Sequence, residues 1–127
     1  MTKNISWTDD YAIGIDEIDQ QHKFLFKLIN DTLRSDLKEQ LQISLLQLYK
    51  YTREHFTAEE SLMKEICYPQ YKQHRELHNQ LITELNKKSK EALNDPTKRD
   101  KLDNFLVSWL IVHIIGEDIH IGEFFKR

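Results

Sequence analysis

Read for period, the chain divides into four stretches in which apolar residues return every three or four positions, separated by short breaks. The first should begin near Asp16, after a turn at Gly14, run along a seam of Ile18, His22, Leu25 and Ile29, and end near Ser35. The second can be capped by Asp36 with Glu39 three residues on. Its seam of Leu45, Leu48, Thr52, His55, Glu59, Leu62 and Ile66 never loses the alternation of three and four. The run "CYP" at 67 to 69 stops it, because Pro69 disfavours helix in the residue before it and suits the first turn of the next one. The third follows Tyr71, His74, His78, Leu81 and Leu85 as far as "NDP" at 94 to 96, where Asp95 can act as a cap, and the fourth carries Leu102, Leu106, Trp109 and His113. Breaks this short join antiparallel neighbours. The predicted architecture is therefore all-α, an antiparallel up-down-up-down four-helix bundle. One domain over residues 1–127 is expected, with residues 1–15 as an extended N-terminal arm and 16–127 as the bundle and a C-terminal extension.

Composition supports helix and narrows the partners. There are three Gly and two Pro in 127 residues, with 31% charged. Eighteen Lys and Arg against 21 Asp and Glu leave a net charge of -3, which gives no electrostatic footprint for nucleic acid or an anionic membrane. The lone Cys67 cannot close an intramolecular disulfide, and "MTKNISWTDD" has no apolar core of a signal peptide, so a cytoplasmic setting is expected. The apolar run "FLVSWLIV" is too short to span a bilayer, and no membrane partner is expected. The pattern leaves the oligomeric state open, a monomer included.

The seams also carry residues that hydrocarbon alone would not tolerate. His22, His55, His74, His78 and His113 fall on them, with Glu59. In an up-down-up-down bundle the start of the first helix, the end of the second, the start of the third and the end of the fourth share one level, so these donors converge. Polar groups buried together without partners would destabilise the fold by several kcal/mol, roughly, and a metal satisfies them. "HFTAE" or "HRELH" alone is an i, i+4 pair of a kind that recurs by chance, and a lone histidine on an apolar face is ordinarily bonded to backbone; four helices meeting at one level are not explained that way. Imidazole and carboxylate without cysteine suit iron, manganese, copper or zinc rather than an iron-sulfur cluster. With Asp118 the donors number seven, too many for one tetrahedral ion, so two metals are implied. If Glu59 and Asp118 both bridge, five imidazoles, these carboxylates and one bridging oxide or hydroxide nearly fill two shells of about six donors each and leave one position open. Asp118 lies five residues after His113, a spacing that diverges by roughly 140° on a regular helix. A π-bulge at "HIIGED", made easier by Gly116, would bring the two to one face; otherwise Asp118 is a solvated residue at a frayed end.

The stretches "GIDEIDQQH" (14–22), "HFTAEESLM" (55–63), "YPQYKQHRELH" (68–78) and "WLIVHIIGED" (109–118), with Trp7 ahead of them, resemble the hemerythrins, and in particular the single-domain bacteriohemerythrins. The resemblance implies a non-haem di-iron centre that binds O2 reversibly, with one iron on His74, His78 and His113, the other on His22 and His55, and Glu59 and Asp118 as bridges. It also implies an oxygen pocket lined by Leu25, Phe56, Trp109, Leu110 and Ile114. The expected role is oxygen carriage, storage or delivery rather than catalysis. The alternatives are a di-iron oxidase, peroxidase or nitric oxide scavenger, an oxygen or iron sensor, and a metal-free structural bundle. His120 is expected at the surface or in C-terminal packing, Cys67 as a free thiol, and Trp7 against the bundle.

Overall fold

The computed structural model describes residues 4–126, in which all four predicted stretches are helical. They are α1 (Asp16–Leu33), α2 (Lys38–Glu65), α3 (Tyr71–Asn94) and a composite fourth helix. That fourth helix opens with a 3-10 turn at Pro96–Lys98 and continues through α4 (Arg99–Ser108), a π-helical segment at Trp109–Ile115 and α5 (Gly116–Phe125). α1 packs on α2, α2 on α3 and α3 on α4, and α4 and the π segment return to α1, which closes an all-α four-helix bundle. Residues 1–3 of the expected arm lie outside the described residues; the rest is extended apart from a single 3-10 turn at Asp9–Tyr11.

The helix ends show how the local sequence sets these bounds. Asp16, Glu17 and Asp19 occupy the first turn of α1, where carboxylates favour the helix dipole. Asp19 also accepts from the backbone N–H groups of Ile13 (2.8 Å) and Gly14 (3.3 Å), and Gly14 takes φ +88 to make that turn. The orphan carbonyls at the end of α1 are met from the far side of the bundle: Arg99 donates to Thr32, Leu33 and Ser35 carbonyls and to Asp103. α2 does not use the predicted cap at Asp36. Ser35 instead donates to the Asp31 carbonyl and meets Ser44 Oγ at 3.0 Å, and Leu37 stands at the helix boundary with no side-chain cap. At the other end of α2 the N–H of Tyr68 bonds the Met63 carbonyl and that of Cys67 bonds Lys64, a Schellman closure. Cys67 itself sits at φ 57, the left-handed position that such a closure reserves for glycine. Pro69 falls in the linker two residues before α3 rather than in its first turn. Asp95 does cap the next turn, accepting from Thr97 N and Oγ1.

The interior is two apolar clusters with a polar layer between them. The larger holds Leu25, Ile29, Leu48, Phe56, Leu81, Leu106, Trp109 and Ile114 among others. The smaller, at the arm end, holds Ile13, Ile15, Ile18, Met63, Tyr68 and Ile121. Along each helix the layer falls between them, at His22 in α1, His55 and Glu59 in α2, His74 and His78 in α3, and Asp118 in α5. Trp7 packs edge-on against Phe26 at 5.7 Å, and Asn30 clamps both backbone groups of Ile5, so the arm lies on the bundle as expected. Ile13 then seals the end of the smaller cluster by lying directly on Gly122, where an added Cβ would come within 1.9 Å of the Ile13 carbonyl oxygen. The helical stretch Pro96–Phe125 contains a window long and apolar enough to cross a membrane, more than "FLVSWLIV" alone suggested. Its apolar side chains Leu102, Leu106, Trp109, Leu110, Ile114 and Ile121 are buried against the other helices.

Opposite effects are expected at two positions in urea denaturation. Gly122→Ala should lower stability by roughly 1–3 kcal/mol, because the arm must move off α5. Cys67→Gly should raise it by roughly 0.5–1 kcal/mol, by relieving a left-handed backbone at an exposed site. An unchanged midpoint for Gly122→Ala would mean that the arm is not seated on α5 in solution.

Candidate metal centre

Because side chains four residues apart on a helix lie one above the other, His55 with Glu59 on α2 and His74 with His78 on α3 project into the core as pairs. α1 adds His22 and α5 adds Asp118. None of the six is more than 5% exposed. Their imidazoles all present Nε2 to the two carboxylates. Glu59 Oε1 lies 2.8 Å from His74 Nε2 and 2.9 Å from His78 Nε2, while Glu59 Oε2 lies 3.4 Å from His55 Nε2. Asp118 divides in the same way, with Oδ1 2.9 Å from His74 and Oδ2 2.8 Å from His22 and 3.5 Å from His55.

The donors thus fall into two groups, His22, His55, Glu59 and Asp118, and Glu59, His74, His78 and Asp118, each with its ligating atoms within 4.8 Å of one another. Both carboxylates belong to both groups, one oxygen to each half. Two of the buried atoms that face each other here, His55 Nε2 and Glu59 Oε2, have no hydrogen-bond partner. A cation between them would satisfy both lone pairs, and the neutral imidazole and carboxylate set suits a first-row transition metal. The residues fit a pair of metal ions sharing two carboxylate bridges.

Two side chains behind the ligands were not singled out from the sequence. Gln21 Oε1 is 2.6 Å from His55 Nδ1, and Glu60 Oε2 is 2.9 Å from His78 Nδ1. Both oxygens accept, so each imidazole carries its proton on Nδ1 and turns the Nε2 lone pair inward. Gln21 and Glu60 adjoin His22 and Glu59 in sequence but serve the ligands of other positions, a relation visible only once the helices are packed.

His113 is not part of the cluster. It stands exposed beside Val112, and this corrects its predicted place on the seam. The π segment was expected, and it is present, but it does not bring His113 and Asp118 to one face. Its wider turn sets Trp109 with Ile114 and Leu110 with Ile115 on the inner side, all four at most 4% exposed, and leaves Val112 and His113 outside. Asp118 then follows Ile114 by one ordinary turn and is buried. Gly116 has ordinary helical dihedrals, φ -59 and ψ -34, so the wide turn does not rely on its freedom. Of the apolar residues expected to line an oxygen pocket, Leu25, Phe56, Trp109, Leu110 and Ile114 are all buried in the larger cluster. Phe56 stacks face to face on His78 at 3.8 Å, and Trp109 points its N–H away to the Leu81 carbonyl. His120 is exposed, as expected, over a surface cleft of about 410 Å³ that Tyr68 and Phe124 help to line.

The electrostatics follow from burial and crowding. Burial, and then the neighbouring Asp118 carboxylate, push the Glu59 carboxyl well above the usual range. Burial also opposes charge on Asp118, but hydrogen bonds from His22 and His74 overcome it and hold Asp118 ionised well below its usual range. Burial lowers His55, and it lowers His78 to about 4. The histidines that titrate low are therefore neutral donors at physiological pH.

The model for the Hemerythrin HHE cation binding domain matches residues 13–124. The chain is 31% identical over 116 residues to a hemerythrin-like protein of Naegleria gruberi, covering 90% of this chain and 87% of that one. It is similar also to bacteriohemerythrins, at 31% identity for that of Stenotrophomonas maltophilia (88% of this chain, 75% of the relative) and 29% for that of Clostridium acetobutylicum (88% and 94%).

The depressed His78 has a measurable sign in the metal-free protein. Between its ordinary 6.5 and about 4, the unfolded chain binds a proton at this residue that the folded chain does not, so stability falls as pH is lowered through that window. Glu59, raised, acts in the opposite sense, and the difference between two proteins that both keep it removes its contribution. From pH 7 to pH 5 the stability of metal-free His78→Gln, measured relative to the unsubstituted protein, should shift in the variant's favour by about 2 kcal/mol. A gap independent of pH would contradict the buried, neutral state of His78.

Proposed function

The chain belongs to the hemerythrin family, and from that premise we propose that it binds dioxygen reversibly at a pair of non-haem iron ions, as a carrier or store rather than as an enzyme. The observation that carries this reading is the division of Glu59 and Asp118, each of which offers one oxygen to either half of the cluster. Carboxylates so placed would each serve two ions held in one buried layer. A ferrous pair there would supply the two electrons that reversible uptake of O2 calls upon.

The remaining work belongs to the chain. His22, His55, His74 and His78 offer imidazole nitrogens, so only two of the six ligating side chains are carboxylates. Ferritin-like oxidases draw on four helices for a carboxylate-rich set with a Glu from each of two helices and Glu-x-x-His from the others. Fewer anions give less support to highly oxidised metal, which favours reversible binding over turnover. Leu25, Phe56, Trp109, Leu110 and Ile114 roof the layer with hydrocarbon and keep water, and the protons it would deliver, away from the ligands. Asp118 and Glu59 hold the charge of the ions by contact rather than through solvent, which matters most where the local dielectric is low.

The iron-loaded protein, reduced without air, should develop a visible charge-transfer band when oxygen is admitted and lose it when oxygen is withdrawn. Metal analysis should give about two irons per chain. Glu59→Gln should lose iron while keeping its helical circular dichroism, since it removes the charge shared by both halves. Conversion on oxygen exposure straight to the oxidised form, with no reversible band, would overturn the carrier reading in favour of an oxidase.

A further inference from the structure

The two halves of the cluster share their carboxylates and match in histidine number, yet they are supported differently from behind. We propose that Glu60 is a positioning residue that orients His78 and strengthens its donation, so that the His74 and His78 half holds its cation more tightly than the half supported by Gln21. The inference rests on the reading of the cluster as a two-ion site.

His78 is fixed on three sides. Phe56 stacks parallel to it with an interplanar angle of 3°, Glu59 faces its Nε2, and Glu60 takes its Nδ1 proton. Glu60 is itself braced from α3, where Arg75 Nε lies 3.9 Å from Oε1, the oxygen not used by His78. Glu60 is 25% exposed and so reaches from solvent to the buried ring. A carboxylate behind an imidazole draws the Nδ1 proton toward itself and makes Nε2 a stronger donor. His55 receives the same hydrogen bond at 2.6 Å, but from the neutral amide of Gln21. In that half, His22 Nδ1 is buried with no hydrogen-bond partner at all. Thus a carboxylate stands behind His78 in one half, where an amide stands behind His55 in the other.

The test uses the intact chain loaded with cobalt(II) and follows its visible absorption as a strong chelator removes the metal. Two ions should leave in two phases. Glu60→Gln keeps an acceptor for His78 but removes the charge, and it should speed the slow phase by about 10-fold while leaving the fast phase unchanged. Gln21→Glu should slow the fast phase and bring the two together. The exchangeable, paramagnetically shifted N–H resonance of His78 reports position directly. It should persist in Glu60→Gln and broaden into solvent exchange in Glu60→Ala. Failure to bind two cobalt ions would overturn the two-ion reading on which the inference rests. Binding of two ions with phases that Glu60→Gln leaves untouched, or speeds equally, would overturn the role of Glu60 alone.

Discussion

Two carboxylates set against four imidazoles in a dry core are the constraint that the rest of the fold serves. Removing a carboxylate from water carries a penalty of several kcal/mol, roughly, even after the protein relaxes around it. Partial neutralisation is written into the site: Asp118 is held by three histidines, while Glu59, the carboxyl with an oxygen left unpaired, is driven toward its protonated form. The hydrocarbon that makes the layer expensive also makes the fold affordable. Clusters above and below it bury apolar side chains from every helix, and the arm closes the lower one through Ile13.

Helix period then turns a stack of residues into two half-sites. Residues at i and i+4 stand about one turn apart on the same face, so α2 and α3 each present two ligands at adjacent heights. α1 and α5 need give only one each, because their neighbours already set the level. The π segment sits directly upstream of Asp118 and sets the phase at which α5 enters the core. By widening one turn it keeps Trp109, Leu110, Ile114 and Ile115 all inside and still delivers Asp118 inward.

The sequence made the first three helices and five of the cluster's six residues legible, because each seam there mixes apolar and polar positions with an unbroken period. His22 is flanked by Ile18 and Leu25, and Glu59 follows His55 by one turn, so only one face can be buried. The fourth helix lacks that contrast. In "WLIVHII" nearly every residue is apolar, and a seam through Trp109 and His113 is as regular as one through Leu110 and Ile114. Burial of hydrocarbon decides between them in the structure, and His113 is the residue left outside. The supports at Gln21 and Glu60 were hidden for a different reason. Nothing local distinguishes a surface glutamate from one that accepts a hydrogen bond from the next helix.

The protonation pattern of the cluster also bears on how metal would enter it. A histidine at its ordinary titration point would surrender a proton to each arriving ion, and loading would become steeply pH-dependent. Burial has already removed that proton from His55 and His78, and hydrogen bonds from His22 and His74 hold Asp118 ionised. Glu59 is the exception, since burial and the adjacent carboxylate hold its proton in place. That proton removes one of the two carboxylate charges from the site without metal, and it sits on a residue whose two oxygens face opposite halves. The same side chain therefore lets the bundle fold around the cluster and lets the cluster take up metal.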